Sequence, residues 1–406
     1  MTTPAPKPIA PPEEAAALPA SIVLVSHILV TGPAQELYQF LRTRNAPLLY
    51  ITHPLQPFTP VGNHRSGYEQ SLSNAVVRQH SVPQWPMPHS VAGELVLFGR
   101  QAWLTFWWAF RHGGRSDLYI GIDPLNALVG LALKRCGRVR RVVYYVIDYV
   151  PTRFSNRWVN ALYHWVDRTC VQGCDRVWNL SSRMVTAREH RGVAPRYRDK
   201  QRTLPIGTDL RVTPRPIEQV ERRTVVYFGG LMVKQGVHLA IEALVRLRAV
   251  VPDARLVVMG GGQPERERAL KQLASSLGVA DAVEFLGVIA CHEEALERLT
   301  RCAVGIAPYT DDPDNFTQYT DPGKPKAYLA AGLPVVMTGV PEVGEVIERA
   351  GAGKVIPYDA QALADALARY LTDETMLAEA KRRARALAEE YDWNRLFATA
   401  FSELPR

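Results

Sequence analysis

Apolar and polar positions along this chain alternate between two textures. Short runs of β-branched and aromatic residues are separated by longer stretches in which apolar residues recur at helical spacing, the pattern of a parallel α/β sheet. The run at 21–26 (SIVLVS) predicts a buried strand, and a Gly32-Pro33 turn leads from it into a helix over 34–43. Further strands are predicted at 47–51, 118–122 and 142–147. The last of these, VVYYVI, is apolar without interruption and predicts a strand covered on both faces. Residues 53–90, rich in Pro, His and Gln, predict irregular surface structure.

A second series begins at residue 224. Strands at 224–228, 255–259, 282–286, 303–307 and 334–338 are interleaved with helices at 237–250, 265–277, 324–331 and 342–349, and a polar loop covers 308–323. Two serial doubly wound domains are therefore expected, at 21–205 and 224–374, after a flexible lead-in over 1–20. The hinge expected at 206–223 adjoins Pro205 and holds Pro214 and Pro216 among charged residues, as linkers tend to. A last helix over 375–403 is long enough to leave its domain, so 375–406 is expected to pack back on the first.

Composition agrees with this division. A chain of 406 residues, 47% hydrophobic and 22% charged, is long enough for two cores and too apolar for wholesale disorder. No apolar stretch reaches the ~18 residues that a membrane-spanning helix needs. The nearest, 95–110, is broken by Arg100 and Gln101. The first twenty residues carry Glu13, Glu14 and several prolines, unlike a secretory leader. The five cysteines lack zinc-site spacing and read as free thiols in a reducing cytoplasm.

Charge is distributed unevenly. Residues 1–200 carry 23 Lys and Arg against 12 Asp and Glu, or +11, whereas 201–406 carry 25 against 28, or −3. One lobe is expected to face an anionic partner. No nucleic-acid-binding module is visible, which leaves an acidic membrane surface or a phosphorylated ligand. Trp103, Phe106, Trp107 and Phe110 line one face of a helix flanked by Arg100, Arg111 and Arg115. That face reads either as core packing or as an amphipathic membrane contact.

Ligands of open parallel sheets bind beyond the carboxyl ends of the strands, so the strand-to-helix loops are the places to search. After Phe228 the loop reads GGLMVKQG. Gly229 and Gly230 permit close backbone approach and Lys234 supplies a cation; a tight turn with a solvated lysine is the alternative. In DPGKPKAYLAAG (321–332), a turn at Asp321 precedes Lys324 and Lys326 at a helix start, an arrangement suited to an anion unless both lysines are merely solvated. Asp148 follows the VVYYVI strand and, by position alone, reads as a cap before Pro151. The pair Asp312 and Asp314 reads as loop polarity, and no metal site is expected.

The run KPKAYLAAGLPVV (324–336) resembles the donor-site helix of GT-B glycosyltransferases of the family-four, "group 1" type. YFGGLMVKQGV (227–237), LVVMGGG (256–262), FLG (285–287), TGVPEVGEVI (338–347), YDW (391–393) and GTD (207–209) are similar to the family's further motifs, in order over about 200 residues. Departures are Gly230 and Gln235 where the family has Arg and Lys, and Tyr319 and Ala327 where it has glutamates.

The resemblance implies a GT-B fold, two Rossmann-like domains facing across a cleft, and retaining transfer of a hexose-type sugar from a nucleotide-diphosphate sugar. It places Asp148 where the family often has His or Asp near the reacting sugar, a catalytic role. Because the family's own diphosphate-binding pair is incomplete here, we expect Lys234 and Lys324 to take the catalytic phosphate role, with Lys326 beside them and Asp321 near the sugar or ribose. Donor contacts would come from Gly32, Gly229, Gly230, Gly261, Asp321, Lys326, Tyr328 and Glu345. The nucleotide sugar is a co-substrate, and no cofactor is expected. The acceptor would be a glycan or lipid-linked intermediate of cell-surface polysaccharide synthesis, at the inner face of the membrane. A sugar-nucleotide-binding partner subunit without activity, or a nucleotide-sugar epimerase, are the alternatives.

Overall fold

The computed structural model describes residues 18–29, 31–55, 59, 64–73, 75–85 and 90–405. Of the expected lead-in, residues 1–17 lie outside the described ones. The chain forms two units, one up to Pro205 together with the segment from Trp393 on, the other Ile206–Asp392.

In the first unit the elements run β1 (Ile22–Ile28), α1 (Pro33–Thr43), β2 (Leu48–Pro54), β3 (Arg65–Leu72), β4 (Ala75–Pro83), α2 (Val91–His112), β5 (Ser116–Ile122), α3 (Pro124–Arg135), β6 (Val139–Val146), α4 (Arg157–Gly173), β7 (Arg176–Asn179), α5 (Arg183–His190) and β8 (Gln201–Thr203). Their sheet has the order β4-β3-β2-β1-β5-β6-β7-β8. It is parallel from β2 to β8 and antiparallel at β3 and β4. Ile22–Val25 and Val142–Val146 are buried, because helices cover both faces of the central strands. In α1, Leu37, Phe40 and Leu41 recur at helical spacing and face the core, and Pro33 sits in the first turn, where no N–H is needed.

The hairpin β3–β4 occupies part of the segment expected to be irregular. Its inward positions are Ser66, Tyr68 and Ser71, and β4 is exposed along nearly its whole length, so no alternation of apolar residues betrays it. Polar groups also knit the interior. His53 is bonded at Nδ1 to Ser66 (2.9 Å) and at Nε2 to Thr105 (2.7 Å). Arg188 is paired with Asp167 at 2.8 Å and bonded to Asn179, tying α5 to α4 and β7. Removing either partner of so buried a pair costs ~3–5 kcal/mol.

The second unit runs β9 (Glu221–Phe228), α6 (Val237–Val250), β10 (Arg255–Met259), α7 (Pro264–Ser276), β11 (Val283–Gly287), α8 (His292–Arg301), β12 (Cys302–Ala307), α9 (Gly323–Ala330), β13 (Val335–Thr338), α10 (Val343–Arg349), β14 (Gly353–Ile356), α11 (Ala360–Thr372) and α12 (Glu374–Glu390). Its parallel sheet has the order β11-β10-β9-β12-β13-β14. Every residue of β12 (CAVGIA) is buried, between one apolar cluster that includes α6, α7 and α11 and another that includes α8, α9, α10 and α12. Residues 206–223, expected as a hinge, group with this unit, and β9 already starts at Glu221.

In place of one helix over 375–403 there are two. The chain leaves α12 at Tyr391, whose carbonyl accepts Thr208 N–H at 2.8 Å, and Asp392 bridges to Thr208. The helix that follows, α13 (Trp393–Ser402), belongs to the first unit, where Phe397 and Phe401 lie 5.2 and 5.7 Å from the ring of Phe40. A backbone pairing that draws Tyr391 and Asp392 toward residue 208 is what ends α12, and no proline or glycine announces it.

Candidate functional site

Strand order reverses once in each parallel sheet, between β9 and β12 and between β1 and β5. Loops diverge there and leave a crevice at the carboxyl ends.

In the second unit, Tyr328 closes the floor of the crevice. Its Oη accepts Phe228 N–H (2.7 Å) and donates to the Ile306 carbonyl (2.9 Å), joining β9 to β12. Its ring fills the space at Gly305, where a Cβ would come within 2.5 Å of it. Above this floor the glycine turns interlock. Gly229, at φ 137°, donates to the Met259 carbonyl at 2.8 Å, and a Cβ on Gly260 would lie 1.9 Å from the Gly229 oxygen. Gly261 accepts Leu231 N–H at 3.0 Å, and Tyr227 Oη donates to the Gly230 carbonyl at 2.5 Å.

Lys324 stands at the start of α9, which no side chain caps. Its ammonium lies 3.8 Å from the centre of the Tyr227 ring and 3.0 Å from Gln235 Oε1. A Cβ on Gly229 would come within 3.1 Å of Lys324 Cε, so the lysine uses the space that glycine leaves. Among the described residues no carboxylate pairs with it. Burial alone pushes its pKa well below the ordinary 10.5. An uncapped helix start beside such a cation suits an anion.

Lys326, two residues on, has a different surrounding. It is almost wholly buried, paired with Asp321 at 2.6 Å and 4.1 Å from the centre of the Tyr391 ring. Asp321 also accepts Ile206 N–H at 2.7 Å. Burial pushes the Asp321 carboxyl up and the Lys326 ammonium down, each opposed by the charge of the other. Lys234 pairs with Asp314 at 2.7 Å, and its carbonyl accepts the amide of buried Asn315 at 3.1 Å. Asp312 accepts the hydroxyl of Thr310 at 2.7 Å. Glu345 is exposed on α10, while Glu342, at the start of that helix, is half-buried.

In the first unit, His27 at the end of β1 bonds through Nε2 to Asp123 at the end of β5, at 3.2 Å. Asp123 holds φ 73°, a left-handed conformation unusual for a residue with a side chain. Burial raises its pKa, but His27 and Arg153 outweigh burial and hold the carboxyl below its ordinary value. Arg153 also donates to Asp148 at 2.5 Å, so its charge serves both carboxylates. Gly32, at φ 140°, precedes α1 in the neighbouring loop.

Residues 222–373 match the family model described as "Glycosyl transferases group 1". The second unit is thus similar to the group 1 glycosyl transferases. The chain is 31% identical over 185 residues to the glycogen synthase of Mycobacterium tuberculosis, covering 44% of this chain and 41% of the relative. It is 31% identical over 247 residues to the D-inositol 3-phosphate glycosyltransferase of Stackebrandtia nassauensis, covering 55% and 52%. The chain thus spans about half the length of the curated relatives it matches. Among solved structures, Anabaena Alr3699/HepE in complex with UDP aligns over 95% of this chain and 100% of that one, with TM-score 0.65 and 17% identity. The fold of the two α/β units is GT-B.

Of the residues the sequence singled out in the second unit, Gly229, Gly230, Gly261, Lys234 and Lys324 meet around one crevice. Tyr328 lies beneath it as a strut. Asp321 and Lys326 are consumed by each other below the surface, because a 2.6 Å pair between buried groups leaves neither free for a phosphate. The sequence marks Gln235 only as a departure from the family's lysine, and does not single out Asn315 and Glu342 around this crevice, nor His27 and Asp123 around that of the first unit. The one local signal for Asp123 is its position before Pro124 at a strand end, which does not distinguish a cap from a site.

Proposed function

We propose that the protein is a retaining glycosyltransferase that moves a sugar from a nucleotide-diphosphate sugar to a glycan or lipid-linked acceptor in cell-surface polysaccharide synthesis. The observation that carries this reading is Lys324, a half-buried cation without a carboxylate partner among the described residues, beside a glycine turn and an uncapped helix start. A diphosphate there supplies the missing counter-charge, and charge developing on it as the sugar departs is stabilised by Lys324 and helix N–H groups. Lys234 joins on release from Asp314, the backbone at Gly229, Gly230 and Gly261 admits the phosphates closely, and Glu345 with Glu342 takes the ribose side.

Asp148 and the His27–Asp123 pair orient the acceptor side, with Gly32 giving close approach. The acceptor reading is supported by the basic first half of the chain and by relatives named for a glucan and for an inositol phosphate. It extends to a cytoplasmic enzyme in peripheral contact with an anionic membrane; among the described residues no helix is long and apolar enough to cross one.

Calorimetric binding of UDP, GDP, ADP and dTDP tests the donor site, with UDP first because the similarly folded HepE structure holds it. One nucleotide should bind, and its sugar should be transferred with the anomeric configuration kept. If none binds, the reading fails; if one binds without turnover, the partner-subunit reading replaces it.

A further inference from the structure

Three neighbouring helices of the first unit, α2, α3 and α4, pack side by side, with α3 touching both others. The buried stripe of α2 is Gln101, Thr105, Trp108 and Ala109, so the aromatic face read from the sequence turns the other way. Trp103 is 62% exposed, Trp107 49% and Phe110 37%. On α4, Trp158 (72%), Leu162 (47%) and Trp165 (58%) stand outward at i, i+4 and i+7, opposite the buried His164, Asp167 and Val171. Core packing therefore does not account for these residues. Exposed aromatics in two rows, with stacked neighbours such as Trp103 and Trp107 at 6.4 Å, are costly in water unless something covers them.

Charge indicates what does. The three helices carry Arg100, Arg111, Arg135, Arg157 and Arg168, besides a Lys134 paired with Asp175, but only two acidic residues, Glu94 and the buried, paired Asp167. Arginines sit directly on the outward rings, Arg157 at 5.0 Å from the Trp158 ring and Arg138 at 4.5 Å from that of Phe110. A second copy docked by the same face would bring cation against cation. Tryptophan amid arginine, with acid scarce, suits the headgroup layer of an anionic bilayer.

We infer that the outer face of α2 and α4 docks on an anionic phospholipid surface. This deepens the membrane-presented acceptor proposed above and rests on that reading for its purpose, not for its test. The full chain should float with phosphatidylcholine vesicles containing about a third phosphatidylglycerol, bind neutral vesicles weakly, and release at high salt. The double variants Trp103→Ser/Trp107→Ser and Trp158→Ser/Trp165→Ser should each weaken vesicle binding about tenfold or more while leaving nucleotide affinity unchanged. No flotation with anionic vesicles, equal flotation with neutral ones, or undiminished binding by both variants overturns the inference. So does a dimer that these substitutions disperse, since the occupant would then be a second copy. Nucleotide binding by the same proteins shows separately whether the donor-site reading stands.

Discussion

The ammonium of Lys324 lies 3.0 Å from the amide oxygen of Gln235, and among the described residues no carboxylate neutralises it. A neutral acceptor holds the lysine in position without spending its charge, which leaves the charge for an anionic ligand. Lys324→Ala should therefore weaken binding of the preferred nucleoside diphosphate by about tenfold to a hundredfold, the ~1.5–3 kcal/mol of a hydrogen bond to a charged group. Titration calorimetry on both proteins measures it. Lys326→Ala should instead lower stability, because it strands Asp321 in the interior.

The same lysine couples binding to pH. Burial depresses its pKa in the free protein below 10.5, and a bound diphosphate restores it toward or above that value. Between the two values the complex holds a proton that the free protein lacks, so binding takes up a proton and affinity falls as pH rises through that window. Binding enthalpies measured above neutral pH in buffers of different ionisation heat should report this uptake, and Lys324→Gln should abolish it.

Strand and helix periodicity marks most of the central sheets, because β1, β6, β9 and β12 are buried on both faces and carry uninterrupted apolar runs. It is silent on β3 and β4, whose polar residues form an edge. It leaves the α2 face open between core and surface, because 3.6-residue spacing tells that a face is apolar and not which way it turns. Within the site, the glycines and Lys324 stand out because local spacing carries their chemistry. His27 and Asp123 do not, since 96 residues separate partners that only the β1–β5 register unites.

Glycine turns in the crevice of the second unit differ in how much they tolerate. A methyl group at Gly260 would meet the Gly229 oxygen at 1.9 Å with φ at 141°, whereas at Gly230 the nearest atom would be 3.9 Å away. Gly260→Ala should cost about 2–4 kcal/mol of stability. Gly230→Ala should fold like the parent and change only nucleotide affinity. Urea unfolding of the pair, followed by nucleotide titration, separates structural from ligand-facing glycine.

Asp123 combines a left-handed backbone with an ion pair to His27, and strain of this kind gathers at functional positions. Asparagine has the shape of aspartate and meets the same backbone strain, but carries no charge. Asp123→Asn should keep stability within about 1 kcal/mol. It should lower the transfer rate about tenfold or more, with nucleotide affinity of the second unit unaltered. Asp148→Asn, which frees only the partly exposed contact to Arg153, should lower it less. Steady-state rates with both substrates decide the order.

His53 sets an acid limit on the first unit. It is fully buried between Ser66 and Thr105, and burial, aided by the neighbouring His27 and Arg100, brings its pKa from 6.5 to about 3. The unfolded chain therefore binds a proton near pH 6.5 that the folded protein refuses until about pH 3. Stability contributed by the neutral ring is complete above the higher value and is lost as pH falls between the two, by about 2 kcal/mol at pH 5. Replacing the ring by an amide, in His53→Gln, removes the titrating group while retaining a donor and an acceptor for the two hydroxyls. Its unfolding free energy should start lower at pH 7 yet decline less steeply toward pH 5. Parallel slopes for parent and variant would assign the acid sensitivity of this unit to groups other than His53.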